Sequence, residues 1–230
     1  MIFIIDKIFE SIPLFMNISE EAREKIYSEI TEKRYNKGEY IFKSNDPAEY
    51  MYVVRTGAMK ISMNLSDGRE QILYIYKNGD FVGGLNLLTS DHYVYNGIAL
   101  IETSVITIDK KVFDDVLMNE MSFLKEMLVE SYSRIRKSEE LIDRLSVINA
   151  DMKVAKGILD LIKTHGSRSM KGNWIVNPNL TRTEMGSFTG LARETLTRKL
   201  AYFQDAGMIK LLPKGAIEIL NIEALKELTV

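Results

Sequence analysis

The 230-residue chain contains no cysteine and only two histidines, His92 and His165. Without thiols there can be no disulfide framework, zinc–thiolate site, cysteine nucleophile or cysteine-held iron–sulfur cluster. Two histidines 73 positions apart do not supply the converging imidazoles of a zinc hydrolase or cupin-type centre. Only 4 prolines and 14 glycines stand against 46% hydrophobic and 27% charged residues, so the chain is globular rather than repetitive or low in complexity. No apolar run approaches the roughly 18 residues a membrane helix needs. The opening Met1-Ile2-Phe3-Ile4-Ile5 is apolar, but Asp6 and Lys7 break it and no cation precedes it. It does not read as a secretion signal, and a cytoplasmic protein without a membrane partner is expected. No G-x-x-x-x-G-K-[ST], G-x-S-x-G or H-E-x-x-H string occurs, so no catalytic residue is nominated and a non-enzyme is expected.

The charge is uneven. Residues 151–230 hold 12 Lys and Arg against 8 Asp and Glu, a net +4, whereas residues 1–150 hold 18 against 24, a net −6. A basic C-terminal part on an acidic body predicts that only the former meets a polyanion.

Ser19, followed by Glu20 and Glu21 and by Ala22, Ile26 and Ile30, predicts a capped amphipathic helix. Between about Tyr35 and Ile108 the texture changes to short β-branched and aromatic runs, among them Met51-Tyr52-Val53-Val54 and Ser104-Val105-Ile106-Thr107-Ile108. Turn residues such as Ser66-Asp67-Gly68 and Asn78-Gly79-Asp80 separate them, which predicts an antiparallel barrel or sandwich. Gly83-Gly84 interrupts the pattern and predicts a loop there. Beyond Asp109 the chain turns helical. Leu124, Leu128, Ser131, Ile135, Ser138, Ile142, Leu145 and Asn149 alternate steps of four and three, a heptad seam flanked by charge. This predicts a self-associating helix whose dimer interface is Leu124, Leu128, Ile135, Ile142 and Leu145. A further helix carries Val154, Ile158, Leu161 and Ile162 and is expected to stop at His165-Gly166.

The densest signal runs from Leu180 to Ile209. Thr181-Arg182-Thr183-Glu184 is a capping box that opens a helix to about Phe188. Thr189-Gly190 turns the chain, and a second helix begins near Ala192. Arg193, Glu194, Thr197 and Arg198 share one face of that helix, opposite Leu196 and Leu200. This is a helix-turn-helix with a recognition helix. A guanidinium at Arg198 can donate twice to the O6/N7 edge of guanine, and Glu194 can accept from cytosine N4. Thr181, Thr183 and Lys199 are the candidate phosphate contacts. Ile209-Lys210-Leu211-Leu212, a turn at Pro213-Lys214-Gly215 and Ile217-Glu218-Ile219-Leu220 read as the hairpin of a wing.

Arg193-Glu194-Thr195-Leu196-Thr197-Arg198 resembles the R-E-T-[VL]-x-R recognition helix of the Crp–Fnr transcription regulators. Gly38-Glu39, Gly57 with Lys60, Asp67-Gly68-Arg69-Glu70 and Gly79-Asp80-Phe81-Val82-Gly83 fall where that family places its roll glycines. The resemblance runs over nearly the whole chain in the family's order. It implies an α+β fold: an effector-binding double-stranded β-roll with N-terminal helices at 1–110, a dimerisation and hinge helix at 111–149, and a winged helix-turn-helix at 150–230. It also implies a homodimer on palindromic double-stranded DNA with TGTGA-like or TTGA-like half-sites, and RNA polymerase as a partner.

The departures from that family narrow the effector. Gly84 stands where cyclic-AMP receptors hold the ribose with Glu, and Tyr95-Asn96 stand at their phosphate-binding Arg-Ser. No basic residue lies between Lys77 and Lys110 to meet a cyclic phosphate. Neither cyclic AMP nor an iron–sulfur cluster is therefore expected. A small effector, or a gas on haem, is the expectation, with Gly83, Gly84, Leu85, His92, Tyr93, Tyr95 and Asn96 as candidate pocket residues and His92 as candidate haem ligand; the effector itself is not identified. The alternative reading is a regulatory subunit whose roll gates a protein partner.

Overall fold

A computed structural model describes residues 12–89, 91–147 and 149–229; the apolar opening at 1–5 lies outside them. The chain divides into two compact units. One runs to Met63 and resumes over Tyr74–Arg136, and the other comprises Asn64–Leu73 and Lys137–Val230. No described helix is long and apolar enough to cross a membrane.

In the first unit, helix α1 (Glu20–Glu29) starts as expected: Ser19 accepts from Ala22 N, two glutamates occupy the first turn, and Ala22 and Ile26 are buried. Eight strands follow, of which β5 has its first residues, Glu70–Leu73, in the second unit: β1 (Thr31–Tyr35), β2 (Tyr40–Phe42), β3 (Tyr50–Thr56), β4 (Ala58–Asn64), β5 (Glu70–Lys77), β6 (Phe81–Val82), β7 (Asn96–Ala99) and β8 (Thr103–Asp109). They form two four-stranded sheets in the orders β1-β8-β3-β6 and β2-β7-β4-β5. Every pairing across β8 is antiparallel, with Tyr35 opposite Thr103 and Val53 opposite Ile106. β8 lies between β1 and β3, and its run from Thr103 to Ile108 is buried at every position. The core is aromatic and sulfur-rich. Phe123 stacks 6.3 Å from Phe15 and meets Phe113 edge-on at 5.9 Å. Each such ring, fully buried, contributes about 1.5–3 kcal/mol.

The loop expected at Gly83-Gly84 holds a short helix, α2 (Gly84–Thr89). Gly83 has φ of +90°, and a Cβ there would stand 2.6 Å from the Tyr50 carbonyl, so only glycine fits the entry to α2. Helix α3 (Lys110–Asp115), capped by Asp109, leads to the long helix α4 (Met121–Ser146). The seam expected to reach Asn149 stops at Ser146. Asn149 instead caps the next helix, α5 (Ala150–His165), its Oδ1 accepting from Asp151 N at 2.8 Å. A short amide side chain competes with helical backbone and so favours a helix start over a helix interior.

In the second unit α5 buries Val154, Ala155, Ile158 and Leu161. It ends at Gly166, but not through a left-handed glycine: φ there is −75°. Glycine is needed because a Cβ would stand 2.3 Å from the Ile162 carbonyl. Strands β9 (Gly166–Arg168) and β10 (Trp174–Val176) follow, then α6 (Arg182–Thr189), α7 (Arg193–Asp205), β11 (Ile209–Leu211), β12 (Ile217–Ile219) and α8 (Ile222–Glu227). Their antiparallel sheet has the order β11-β12-β10-β9. The expected wing hairpin is β11–β12, with Lys210 opposite Glu218. β9 and β10, which extend it, were not foreseen: Gly-Ser-Arg and Trp-Ile-Val are too short to show a period.

Candidate nucleic-acid interface

Helix α6 opens on a complete capping box. Glu184 N donates to Thr181 Oγ1 at 3.2 Å, and Thr181 N donates to Glu184 Oε2 at 2.9 Å. Gly190 closes the helix with φ of +71°, the left-handed cap that turns the chain sharply into α7. Buried Met185, Phe188, Leu196, Leu200 and Phe203 pack the two helices together. Leu191 and Met208, just beyond the ends of α7, are half-buried. Ser187, in the last turn of α6, has its carbonyl satisfied by Gln71 Nε2 at 2.6 Å, and Gln71 is itself buried. Nothing local in the sequence marks Gln71 for this role.

On α7 the structure brings Arg193, Glu194, Thr197 and Arg198 together on one exposed face. Thr197 Oγ1 donates to the Arg193 carbonyl at 2.8 Å, while the side chains of Arg193, Glu194 and Arg198 make no ion pair or hydrogen bond among the described residues. Arg193 is the first residue of its helix, where a cation opposes the macrodipole. Folding gains nothing from it there, whereas a polyanion would. Thr183 is exposed in the first turn of α6, and the Thr181 hydroxyl is occupied by the cap. Lys199, the other candidate phosphate contact, places its Nζ 2.8 Å from Asp151 Oδ2 at the start of α5. Lys210 and Lys214, which the sequence reading did not nominate, are exposed on the wing, and Lys214 holds the turn with φ of 59°. Their signal was present in the basic turn Pro213-Lys214-Gly215.

The expected dimer seam separates into two groups. Leu128, Ile135 and Ile142 are 71%, 57% and 68% exposed, and Met121, Val129 and Tyr132 are exposed with them. Met121, Leu128, Ile135 and Ile142 repeat at intervals of seven. Leu124, by contrast, packs on the core of its own unit, and Leu145 is half-buried, its Cδ2 beside Gly190.

The candidate effector residues differ in their burial. Tyr93 is buried, its hydroxyl donating to the Tyr50 carbonyl at 2.6 Å and its ring 4.4 Å from Phe42 and 6.0 Å from Tyr52. Burial raises the pKa of both Tyr52 and Tyr93, so both hydroxyls are neutral. Asn96 is buried with its Oδ1 accepting from Ser44 N at 2.9 Å. Gly84 lets α2 approach α4: a Cβ there would meet Met51 Sδ at 3.3 Å and Met127 Cε at 3.4 Å. Leu85 and Tyr95 are exposed. His92 is exposed too, its side chain 62% open and its Nδ1 3.7 Å from Asp91, and it contributes nothing to the packing around Tyr93. Tyr93, and not its neighbour His92, is the buried residue beside the Pro47–His92 bridge, because successive residues of an extended segment face opposite ways.

Residues 32–120 match the family model of the cyclic nucleotide-binding domain, and residues 152–228 match the Crp-like helix-turn-helix domain. The chain is 30% identical over 197 residues to the fumarate and nitrate reduction regulatory protein of Escherichia coli, covering 85% of this chain and 77% of that one. It is 23% identical over 212 residues to a CRP-like cAMP-activated global transcriptional regulator of Mycobacterium tuberculosis, covering 92% and 94%. The structure of FixK2 from Bradyrhizobium japonicum superimposes with a TM-score of 0.76 at 26% identity, over 87% of this chain and 98% of that one. Fold and helix-turn-helix together define a DNA-binding transcription regulator. The chain belongs to the Crp/Fnr family.

Proposed function

We propose that this chain is a homodimeric regulator that reads a palindromic operator through α7 and is switched by a small, uncharged effector of its roll. The carrying observation is the exposed Arg193, Glu194, Thr197 and Arg198 face, whose three charged side chains make no ion pair or hydrogen bond among the described residues, set on a capped helix-turn-helix. In a two-fold dimer the two recognition helices enter successive major grooves, so half-sites lie about 10–11 bp apart, centre to centre. Arg198 takes the guanine of a GA step and Glu194 the cytosine paired with it. In a TGTGA-like half-site Arg193 also reads a base; in a TTGA-like one it moves to a phosphate and Thr197 reads instead. Thr183 and the wing lysines Lys210 and Lys214 supply phosphate contacts that set register.

The unpartnered stripe of Met121, Leu128, Ile135 and Ile142, with Val129 and Tyr132 beside it, supports dimerisation along α4, each helix covering the same stripe of its partner. Tyr95 and Asn96, which offer no guanidinium to a cyclic phosphate, support an uncharged effector over cyclic AMP, and the exposed position of His92 favours such an effector over haem. Among further partners, RNA polymerase follows from the regulatory role.

Random-site selection with the purified protein, with and without cell extract, tests the proposal. A palindrome is expected. Recovery of no preferred sequence under either condition overturns it in favour of a regulatory subunit that docks on protein.

A further inference from the structure

Lys199 Nζ and Asp151 Oδ2 are 2.8 Å apart, with the two side chains only 26% and 23% exposed. Asp151 is the second residue of α5, so its carboxylate also sits at the positive end of that helix. Its other oxygen, Oδ1, is buried without a hydrogen-bond partner. Lys199 therefore supplies the compensating hydrogen bond and charge for a half-buried anion. A sequence reading that places Lys199 on a phosphate requires it to leave that anion uncompensated, which is costly.

On α7, Lys199 follows Arg198 by one residue and is rotated about 100° from it. It occupies the flank between the exposed reading face and the buried row of Leu196, Leu200 and Phe203. Apolar packing of one row leaves a helix some freedom to roll about its axis, because dispersion contacts are not directional. An ion pair anchored on the flank resists that roll. We propose that Lys199 and Asp151 form a clasp that sets the rotation of α7 against the start of α5, and hence the angle at which Arg193, Glu194 and Arg198 meet base edges. Lys199 is on this account a positioning residue and not a phosphate contact. The inference rests on the reading of α7 as recognition helix.

The two roles predict opposite results for Asp151→Asn. If Lys199 holds a phosphate, removing its competitor leaves DNA binding unchanged or tighter. If it clasps, binding to the selected palindrome weakens by about tenfold, the order expected for a lost part-buried partner. The measurement is fluorescence anisotropy on the palindrome recovered by wild-type selection and on a scrambled duplex, across a potassium chloride series. Lys199→Met is expected to lose a similar factor on the palindrome, to leave the scrambled duplex nearly unaffected, and to keep the wild-type salt slope. A phosphate contact would instead lower the slope by about one unit per half-site and weaken both duplexes alike. The double exchange Lys199→Asp with Asp151→Lys is expected to recover most of the palindrome affinity, which separates a lost clasp from a misfolded domain.

Unchanged or tighter binding by Asp151→Asn, a reduced slope in Lys199→Met, or no recovery in the exchange overturns the clasp. Wild-type protein that selects no sequence overturns the recognition-helix reading and the clasp with it. Wild-type selection with variants indistinguishable from it overturns the clasp alone.

Discussion

Arg144 lies with its guanidinium carbon 4.1 Å from the centre of the Phe188 ring while its Nη1 donates to Asp160 Oδ2 at 2.6 Å. One buried side chain thereby ties the last turns of α4 to α5 and to α6, the first helix of the helix-turn-helix. Burial pulls its pKa down and Asp160 pulls it back, but an arginine remains charged at any physiological pH. The planar cation stacks and hydrogen-bonds at once, which an ammonium does not do as well. The geometry leads to a first prediction. Arg144→Met should destabilise the second unit by about 3 kcal/mol, because Asp160 is left half-buried with only Lys163 at 3.6 Å. Arg144→Lys should recover part of that loss. Thermal and urea unfolding followed by circular dichroism measure it, and an unchanged midpoint in Arg144→Met would contradict the assignment.

Arg198 is exposed and makes no ion pair or hydrogen bond among the described residues, so its removal should cost folding little and binding much. Arg198→Ala is expected to lose about 1–3 kcal/mol per half-site and to relax preference at one base pair only. Competition binding against a panel of single-substitution duplexes reads this out. Equal losses on every sequence would place Arg198 on the backbone instead.

Ile135 is 57% exposed in the single chain, so Ile135→Asp should leave the monomer folded. In a dimer built on the α4 stripe the same substitution buries two facing carboxylates. Sedimentation should then show a monomer with wild-type secondary structure and no operator binding. A dimeric variant would move the interface away from Ile135.

Cyclic AMP is expected to leave the melting temperature unchanged at millimolar concentration. A site filled at about 100 times its dissociation constant would stabilise the fold by roughly 2.7 kcal/mol, which a thermal scan resolves easily. The rings of Phe42, Tyr52 and Tyr93 pack against one another, and Tyr95 and Asn96 offer no guanidinium to a cyclic phosphate. A clear upward shift would overturn that reading of the roll.

The helix-turn-helix was legible because every determinant of it is local. The capping box at Thr181 and Glu184, the left-handed Gly190 and the i, i+1, i+4, i+5 spacing on α7 all act within a few residues. The same held for the strand-rich roll, whose turns carry glycines and aspartates at their required positions. The effector pocket was less legible. His92 and Tyr93 are neighbours in the chain, yet one is exposed and the other buried, and the pairing of His92 with Pro47, 45 residues earlier, accompanies that choice.

By itself the sequence determined the periods, the caps and the charge asymmetry, and from these the helix-turn-helix and the exposed polar face of its second helix. These depend on backbone geometry over a turn or two, which residue type dictates directly. Tertiary structure decided everything that needs two distant segments at once. It divided the heptad seam, taking Leu124 and Leu145 inward and leaving Leu128, Ile135 and Ile142 open. It also brought Asp151, 48 residues earlier, to within 2.8 Å of Lys199, and it closed the end of α6 with Gln71 from 116 residues away. Burial leaves each charge and each carbonyl to find a partner, and which partner arrives depends on the packing of helices whose sequences carry no record of one another.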